Sequence, residues 1–266
     1  MNLSRKRIRR LLNKNFFNYI GFHLKEKVKE HMRPPYDRYD YEDEALNLIE
    51  IIKEYTMVSL PRLITLYQQI RYLEVNNIDG ALVECGVWKG GAVGLMALSQ
   101  LKFGGDTRRI IHLFDSFKGL PKAHPKDDRK AQAWFGTQVG GIIEESNVLK
   151  ANISVCKKLL IDKIGYPTDY ISFHKGWFQE TIPLARKSGA LKKIALLRLD
   201  GDLYESTKTC LEYLWDLVVP QGIIIIDDYA YFEGCKKAVD EFFSKLGFYP
   251  ILNHIEDGGG RYIIKT

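Results

Sequence analysis

Residues 83–91 read Val-Glu-Cys-Gly-Val-Trp-Lys-Gly-Gly, an apolar run that enters a glycine-rich turn just before a helical stretch. Glycine lets a backbone approach a ligand closely, and the N-terminus of a helix offers free N–H groups to it. A dinucleotide-binding turn has the pattern GxGxxG, but Trp88 occupies the position of its middle glycine. The acidic Glu84 instead favours a ligand with an ammonium group, and a tight turn without any ligand is the alternative.

From residue 81 onward, short apolar runs that end in Gly or Asp alternate with helical stretches. This pattern predicts strands at 81–87, 110–115, 170–176, 194–200 and 222–227, and helices near 90–103, 142–164, 179–189, 203–218 and 234–246. Strands that are buried on both faces and joined by helices form a parallel sheet covered on either side. Two last runs, 248–255 and 261–265, predict an antiparallel hairpin at the sheet edge, whose glycines need no role beyond the turn. The sequence therefore predicts an α/β fold, a doubly wound, mostly parallel sheet of Rossmann-like topology.

The N-terminal part differs from the rest in its charge. Residues 1–33 hold ten Lys or Arg against two Glu, a charge of +8, so the rest of the chain carries −2 of the total of +6. Ile8, Leu12, Phe16 and Ile20 recur every four residues, which predicts a basic helix with one apolar side. Such a helix docks on its own protein or makes peripheral contact with a membrane surface, and a solvated basic face is the plain alternative.

Two further helices are predicted before the first strand, over 41–54 and after Pro61. In the second of them, the inward positions are Leu63, Leu66, Ile70 and Leu73.

Composition limits the possible classes of protein. At 266 residues, with 45% apolar and 27% charged residues, the chain fits one catalytic core with appendages and excludes disorder throughout. The four cysteines share no CxxC spacing, so neither a zinc site nor a disulfide framework is implied. No apolar run reaches the roughly 18 residues of a membrane span. These features favour a reduced, cytoplasmic location, and no nucleic-acid partner is expected.

Carboxylates end three of the predicted strands, at the edge where doubly wound sheets bind ligands. The second strand ends at Asp115, which can accept both hydroxyls of a ribose or simply form a turn. The fourth and fifth strands end in Asp200-Gly201-Asp202 and Asp227-Asp228. Because these strands are neighbours in this topology, Asp200, Asp227 and Asp228 converge as hard oxygen ligands for Mg²⁺ or Ca²⁺. Plain loop residues are the alternative for the last two.

Other segments near these strand ends have less specific patterns. Residues 202–205 read Asp-Leu-Tyr-Glu, a capping box that assigns Asp202 to the start of the next helix. After the third strand, Trp177 and Phe178 can flank an adenine ring or pack in the core. The 54 residues between Asp115 and Tyr170 are too many for an ordinary connection and predict a substrate lid over 117–165.

Several segments together resemble the macrocin O-methyltransferase family, the TylF type of sugar methyltransferase found in antibiotic pathways. The matching segments are 55–57, 83–91, 115–117 with 119–121, 176–178 with 181–183, 199–206 and 227–229. Their order and spacing make the resemblance specific. It implies a class I methyltransferase fold, S-adenosylmethionine as the methyl donor and Mg²⁺ as a cofactor.

The resemblance also implies roles for individual residues. Those implied to bind S-adenosylmethionine are Thr56, Met57, Glu84, Gly86, Trp88, Gly90, Asp115, Ser116, Trp177 and Phe178. Mg²⁺ is implied on Asp200, Asp227 and Asp228, with Asp200 also as the catalytic base. Residues 1–60 then form a basic helical extension that closes over the cofactor, beside a methyltransferase domain over 61–266.

The acceptor and the class of reaction leave alternatives open. Catechol methyltransferases carry a Lys three residues after the aspartate that matches Asp200, and here that position is Leu203. This difference favours a small-molecule saccharide or glycoside acceptor, and a homo-oligomer is expected. Asp200-Gly201-Asp202 is also the DxD of metal-dependent glycosyltransferases. A binding protein with a basic arm on an inactive methyltransferase fold is the other alternative.

Overall fold

Residues 42–266, the part of the chain that the computed structural model describes, contain seven strands in one sheet. The strands are β1 (Ala81–Cys85), β2 (Ile111–Asp115), β3 (Ile171–Lys175), β4 (Ile194–Leu199), β5 (Val218–Ile226), β6 (Asn253–His254) and β7 (Arg261–Ile264). Their order across the sheet is β3-β2-β1-β4-β5-β7-β6. The first five are parallel, and β7 pairs antiparallel with β5 and β6. The predicted doubly wound sheet with an antiparallel hairpin at its edge is confirmed.

Helices cover both faces of this sheet. They are α1 (Glu42–Ile52), α2 (Leu60–Val75), α3 (Gly91–Phe103), α4 (Arg129–Phe135), α5 (Ile153–Lys157), α6 (Phe178–Lys187), α7 (Tyr204–Leu214) and α8 (Glu233–Leu246). The first three pack in one apolar cluster, and the last three pack in a second cluster on the opposite face. Successive residues of a strand alternate between the two, so Leu82 joins one cluster and Val83 the other. Burial on both faces explains why the strands read as continuous apolar runs.

The two helices predicted over 41–54 and after Pro61 are confirmed. α1 lies within the predicted 41–54, and the four inward positions predicted for α2 are all buried. The basic residues 1–33 lie outside the described residues. No helix within 42–266 is long and apolar enough to cross a membrane.

The helix predicted over 142–164 is wrong in its first half. α5 begins only at Ile153, where the side chain of Asn152 accepts a hydrogen bond from the Ser154 N–H, and a π-helical turn continues it over Lys158–Lys163. The residues before α5 instead form hydrogen bonds with the segment that follows β2. The Ser146 N–H, for example, donates to the Leu120 carbonyl at 2.9 Å. Left-handed backbone at Asn147 (φ 64°) and Leu149 (φ 57°) is incompatible with a helix there.

Several boundaries differ from the predictions by a few residues. β5 begins at Val218, four residues earlier than expected, and α7 ends at Leu214 in a 3₁₀ turn over Trp215–Leu217. The hairpin pairs over only two residues of β6. These differences leave the turn after β1 and the acidic residues at the carboxyl ends of the parallel strands.

Candidate active site

The carboxyl ends of β1, β2, β4 and β5 open into a cavity of about 580 Å³. This volume is within the usual range for small-molecule sites, and the position is the one expected in a doubly wound sheet. The predicted residues that line it are Thr56, Met57, Glu84, Gly86, Trp88, Asp115, Ser116, Trp177, Phe178, Asp200, Asp227 and Asp228. Gly90 is not among the lining residues; its neighbour Gly91 is. The structure thus brings together all the predicted site residues except one.

The turn after β1 depends on Gly86. Its φ is +98°, and a Cβ at this position would lie 1.8 Å from the carbonyl oxygen of Asp200. Only glycine permits this approach, which brings the ends of β1 and β4 together. Gly90, at φ +89°, is the residue just before α3, and its missing Cβ leaves room for the Cys156 side chain. Gly90 therefore contributes to the shape of the turn without lining the cavity.

Asp115 holds the same turn from the neighbouring strand. Its Oδ2 accepts hydrogen bonds from the backbone N–H groups of Val87 at 2.7 Å and Trp88 at 2.9 Å. Its Oδ1 accepts from the Phe117 N–H at 2.6 Å. Burial raises the pKa of this carboxyl, and the three donated hydrogen bonds oppose the rise. Asp115 is therefore a structural support of the turn as well as a cavity residue.

Arg198 in β4 connects the turn to the acidic residues, and the sequence patterns missed it. The side chain is 2% exposed. Its Nη1 contacts Glu84 Oε1 and lies 2.6 Å from Asp200 Oδ2, while Nη2 lies 2.6 Å from Asp227 Oδ1. One signal could have found it: a lone charge inside an apolar run must be paired when the strand is buried.

Glu84 is the most deeply buried carboxylate of the group, at 1% exposed. Burial raises its pKa to about 8, although Arg198 acts in the opposite direction. Its second oxygen, Oε2, is buried and has no hydrogen-bond partner within the protein. A donor from a ligand in the cavity would satisfy this atom.

Arg62 approaches the acidic residues from α2 and was also missed. Its Nη1 donates to Oδ2 of Asp227, and its Nε forms a close ion pair with Oδ2 of Asp257 at 2.6 Å. Both oxygens of Asp227 therefore contact a guanidinium. Despite burial, Arg198 and Arg62 hold the pKa of Asp227 below its usual range. Nothing in the amphipathic pattern of α2 distinguishes Arg62 from a surface arginine.

The predicted ligand residues have a geometry that fits a divalent cation. One carboxylate oxygen from each of Asp200, Asp227 and Asp228 lies within 4.8 Å of the others. Around the two arginines stand six acidic side chains: Glu84, Asp200, Asp202, Asp227, Asp228 and Asp257. The acidic side chains outnumber the guanidinium groups, and the carboxylates offer the hard oxygens that Mg²⁺ prefers. The donor set therefore fits such an ion.

The capping role predicted for Asp202 is wrong. The residue before α7 is Leu203, which makes no side-chain cap, and Asp202 has left-handed backbone (φ 57°). Asp127, from the long β2–β3 segment, instead accepts a hydrogen bond from the Tyr204 N–H at 2.8 Å. Asp202 lines the cavity, where burial and the neighbouring Asp200 raise the pKa of its carboxyl.

The segment between β2 and β3 forms one wall of the cavity. Its lining residues include Gly119, Leu120, Pro121, Lys130, Trp134 and Leu149. Asp127 and Asp128 attach this wall to the starts of α7 and α8, because Asp128 Oδ2 accepts from the Glu233 N–H at 3.2 Å. The part around α4 is therefore packed on the body of the protein, whereas Val139, at 80% exposed, lies at the tip of the segment.

The aromatic residues near β3 divide between the cavity and the core. Trp177 and Phe178 line the cavity, whereas His174 stacks on Phe114 with 4.1 Å between ring centroids. The Nε2 of His174 lies 2.9 Å from Nδ1 of His112, and burial lowers the pKa of both histidines. His174 thus belongs to a buried pair in the sheet.

The chain is similar to known proteins over most of its length. The family model of macrocin-O-methyltransferase (TylF) matches residues 21–262. The 8-demethyl-8-(2,3-dimethoxy-alpha-L-rhamnosyl)-tetracenomycin-C 4'-O-methyltransferase of Streptomyces olivaceus is 33% identical over 208 residues, which cover 77% of this chain and 74% of the relative. The demethyldecarbamoylnovobiocin O-methyltransferase of Streptomyces niveus is 34% identical over 208 residues, with the same coverage of 77% and 74%.

The fold is also similar to that of a solved methyltransferase. The O-methyltransferase NovP superposes with a TM-score of 0.68 and 29% identity, over 93% of this chain and 98% of that one. The family match over residues 21–262 includes the turn after β1 and the strand ends that carry the acidic residues. This chain belongs to the macrocin-O-methyltransferase (TylF) family and is an S-adenosylmethionine-dependent O-methyltransferase.

Proposed function

We propose that the protein transfers the methyl group of S-adenosylmethionine to a sugar hydroxyl of a glycosylated natural product, and that a divalent cation assists the transfer. The observation that carries this proposal is that the glycine turn after β1 and the acidic side chains around Arg198 and Arg62, here called the acidic group, open into the same cavity. A relative with 33% identity is named for a rhamnosyl-tetracenomycin acceptor and a 4'-O position. An acceptor of the same general class suits this cavity.

The cofactor is proposed to lie along the turn after β1. The ammonium group of its methionine end would donate to Oε2 of Glu84, the buried oxygen without a partner. Asp115 has further acceptor capacity for the ribose hydroxyls, since a carboxylate offers about four lone-pair sites. Trp177 and Phe178 would flank the adenine, and Thr56 and Met57 would close over the cofactor from the N-terminal side.

The acceptor is proposed to lie between the acidic group and the wall formed by the β2–β3 segment. Trp134, Tyr231 and Phe232 line this side of the cavity, and the ammonium of Lys130 lies 4.5 Å from the Trp134 ring centroid. Aromatic faces of this kind suit the apolar face of a sugar ring. The exposed tip of the same segment is our candidate for a moving lid.

Methyl transfer is an in-line displacement, so the enzyme must align the acceptor oxygen with the methyl carbon. The oxygen–carbon bond forms as the carbon–sulfur bond breaks, and the bonding electrons go to sulfur to give S-adenosylhomocysteine. A bound Mg²⁺ would lower the pKa of the acceptor hydroxyl and fix its position. Asp200 would take the proton, directly or through water. Asp227 and Asp228 would complete the oxygen donors.

The first experiment is calorimetry with S-adenosylhomocysteine, UDP and NAD⁺ as ligands of the full chain. We expect binding of S-adenosylhomocysteine alone. Mass spectrometry of a panel of glycosylated acceptors, incubated with S-adenosylmethionine and either Mg²⁺ or EDTA, then tests the acceptor class and the metal. If the protein bound UDP and did not bind S-adenosylhomocysteine, the result would instead favour the hypothesis of a DxD glycosyltransferase. Methylation of aglycones but not of glycosides would overturn the proposed acceptor.

A further inference from the structure

Arg62 lies where three parts of the chain meet. It occupies the first turn of α2, just after the segment that is proposed to cover the cofactor, and it is 8% exposed. Its Nη1 donates to Asp227, beyond the end of β5. Its Nε pairs with Asp257, in the turn between β6 and β7, at 2.6 Å. One side chain therefore links the start of α2 to the acidic group and to the hairpin.

The hairpin tip, residues 256–260, is folded against this arginine. Asp257 also accepts a hydrogen bond from the hydroxyl of Ser59, the residue before α2. The Arg62 guanidinium lies over the ring of Tyr231, with its Cζ 5.0 Å from the centroid. A Cβ on Gly259 would lie 2.1 Å from Arg62 Nη2 and 2.0 Å from a Tyr231 ring carbon. The expectation that the hairpin glycines serve only the turn is therefore wrong, because Gly259 also permits this close packing.

We infer that Arg62 is a positioning residue that joins the cofactor-side segment 56–62 to the hairpin tip over the acidic group. When bound cofactor orders the segment 56–62, the hairpin tip is therefore ordered with it. The inference rests on the proposed placement of the cofactor at Thr56 and Met57. A buried ion pair resists separation strongly, because removal of either partner leaves a charge without compensation. Movement of either segment alone would break such a pair.

The chemistry of the side chain explains why arginine suits this position. Its planar guanidinium spreads the positive charge over three nitrogens, so that Nη1 can donate to Asp227 while Nε forms an ion pair with Asp257. The ammonium of a lysine is a point charge on a flexible stem. Arg62→Lys should therefore retain part of the connection, whereas Arg62→Gln should lose it.

The test is amide hydrogen exchange of the full chain, measured by mass spectrometry with and without saturating S-adenosylhomocysteine. In the wild type we expect the cofactor product to slow exchange at residues 256–260, which contact the cofactor-side segment through Ser59 and Arg62. In Arg62→Gln and in Asp257→Asn this protection should be lost although the ligand is bound. The affinity for S-adenosylhomocysteine should fall by about 5- to 150-fold, the usual range for coupled sites, and Arg62→Lys should recover part of both effects.

Arg186→Gln is the matched control, because Arg186 makes a two-point ion pair with Asp216 away from the cavity, at 2.7 and 2.8 Å. It should leave the protection of the tip unchanged. Asp257→Asn keeps the test decisive if Arg62→Gln does not fold. The inference would be overturned if residues 256–260 stayed as protected in the folded variants as in the wild type. It would also be overturned if a wild type that binds S-adenosylhomocysteine showed no protection there. Either result would leave the cofactor assignment intact. A wild type that does not bind S-adenosylhomocysteine would overturn both.

Discussion

Asp115, at the end of β2, holds the backbone of Trp88 in the turn after β1, with 2.9 Å between Oδ2 and the Trp88 nitrogen. The same oxygen accepts from Val87 at 2.7 Å. The turn that faces the cavity is therefore shaped by a residue of the neighbouring strand. A substitution at Asp115 should affect both ligand binding and the stability of the turn.

Asp115→Ala is expected to weaken binding of S-adenosylhomocysteine by roughly 1 to 3 kcal/mol, the cost of losing a charged hydrogen bond. It should also lower the melting temperature, because three backbone N–H groups lose their acceptor. Calorimetry and thermal unfolding measure the two effects separately. Asp79→Ala, which removes an exposed ion pair with Lys193, is the control. An affinity equal to that of the wild type would remove Asp115 from the cofactor site.

Asp127→Ala is expected to reduce the free energy of unfolding by about 1 to 3 kcal/mol, because it removes a buried cap. The carboxylate is 4% exposed and accepts from the Tyr204 N–H at 2.8 Å and the His124 N–H at 2.7 Å. Urea unfolding measures the change, with the exposed Asp106→Ala as the control. A loss no larger than that of the control would mean that water replaces the cap without cost.

His112 is expected to make the protein sensitive to acid. Burial first, and His174 second, lower its pKa from 6.5 to about 4. Between about pH 4 and pH 6.5, His112 is protonated in the unfolded chain but not in the folded protein. The free energy of unfolding therefore falls as the pH falls. The loss should reach about 2 kcal/mol at about pH 5 and should be absent at about pH 7.5.

His112→Gln tests this expectation, because glutamine does not titrate and can still hydrogen-bond to His174. The variant should lose less stability than the wild type between those two pH values in urea unfolding. The exposed His254→Gln should behave as the wild type does. Equal acid sensitivity in His112→Gln and the wild type would contradict the expectation.

The parallel strands and their acidic ends could be predicted because both depend on local sequence. A buried strand reads as an apolar run, and Asp115, Asp200 and Asp227 follow such runs directly. The partners of these residues could not be predicted in the same way. Arg62 precedes Asp227 by 165 positions, and only the tertiary fold brings the two side chains together.

The error at Asp202 has a physical reason of the same kind. Residues 202–205 satisfy the local pattern of a capping box, but Asp127 reaches the N–H of Tyr204 from 77 positions away. The long-range hydrogen bond replaces the local one and leaves Asp202 beside the cavity. Local rules thus described the elements well, whereas the contacts between distant segments needed the structure.

Asp228 offers a cleaner test of a metal ligand than Asp227. Both oxygens of Asp227 contact arginines, so Asp227→Asn should also disturb Arg62 and Arg198. Within residues 42–266 the Asp228 carboxylate forms no ion pair, and it accepts a hydrogen bond from the Asp202 N–H at 3.2 Å. Asp228→Asn should therefore regain methyl transfer as Mg²⁺ is raised, since the residue is proposed only to hold the ion.

The most direct test of the account is the initial rate of methyl transfer as a function of Mg²⁺ concentration, for the wild type and Asp200→Asn. Asn keeps the size and one oxygen donor of Asp200 but cannot take a proton at neutral pH. We predict that the wild type loses activity in excess EDTA, and that Asp200→Asn stays about 10²- to 10⁴-fold slower at saturating Mg²⁺ with unchanged affinity for S-adenosylhomocysteine. Full activity of the wild type in EDTA, or of Asp200→Asn without added Mg²⁺, would contradict the account.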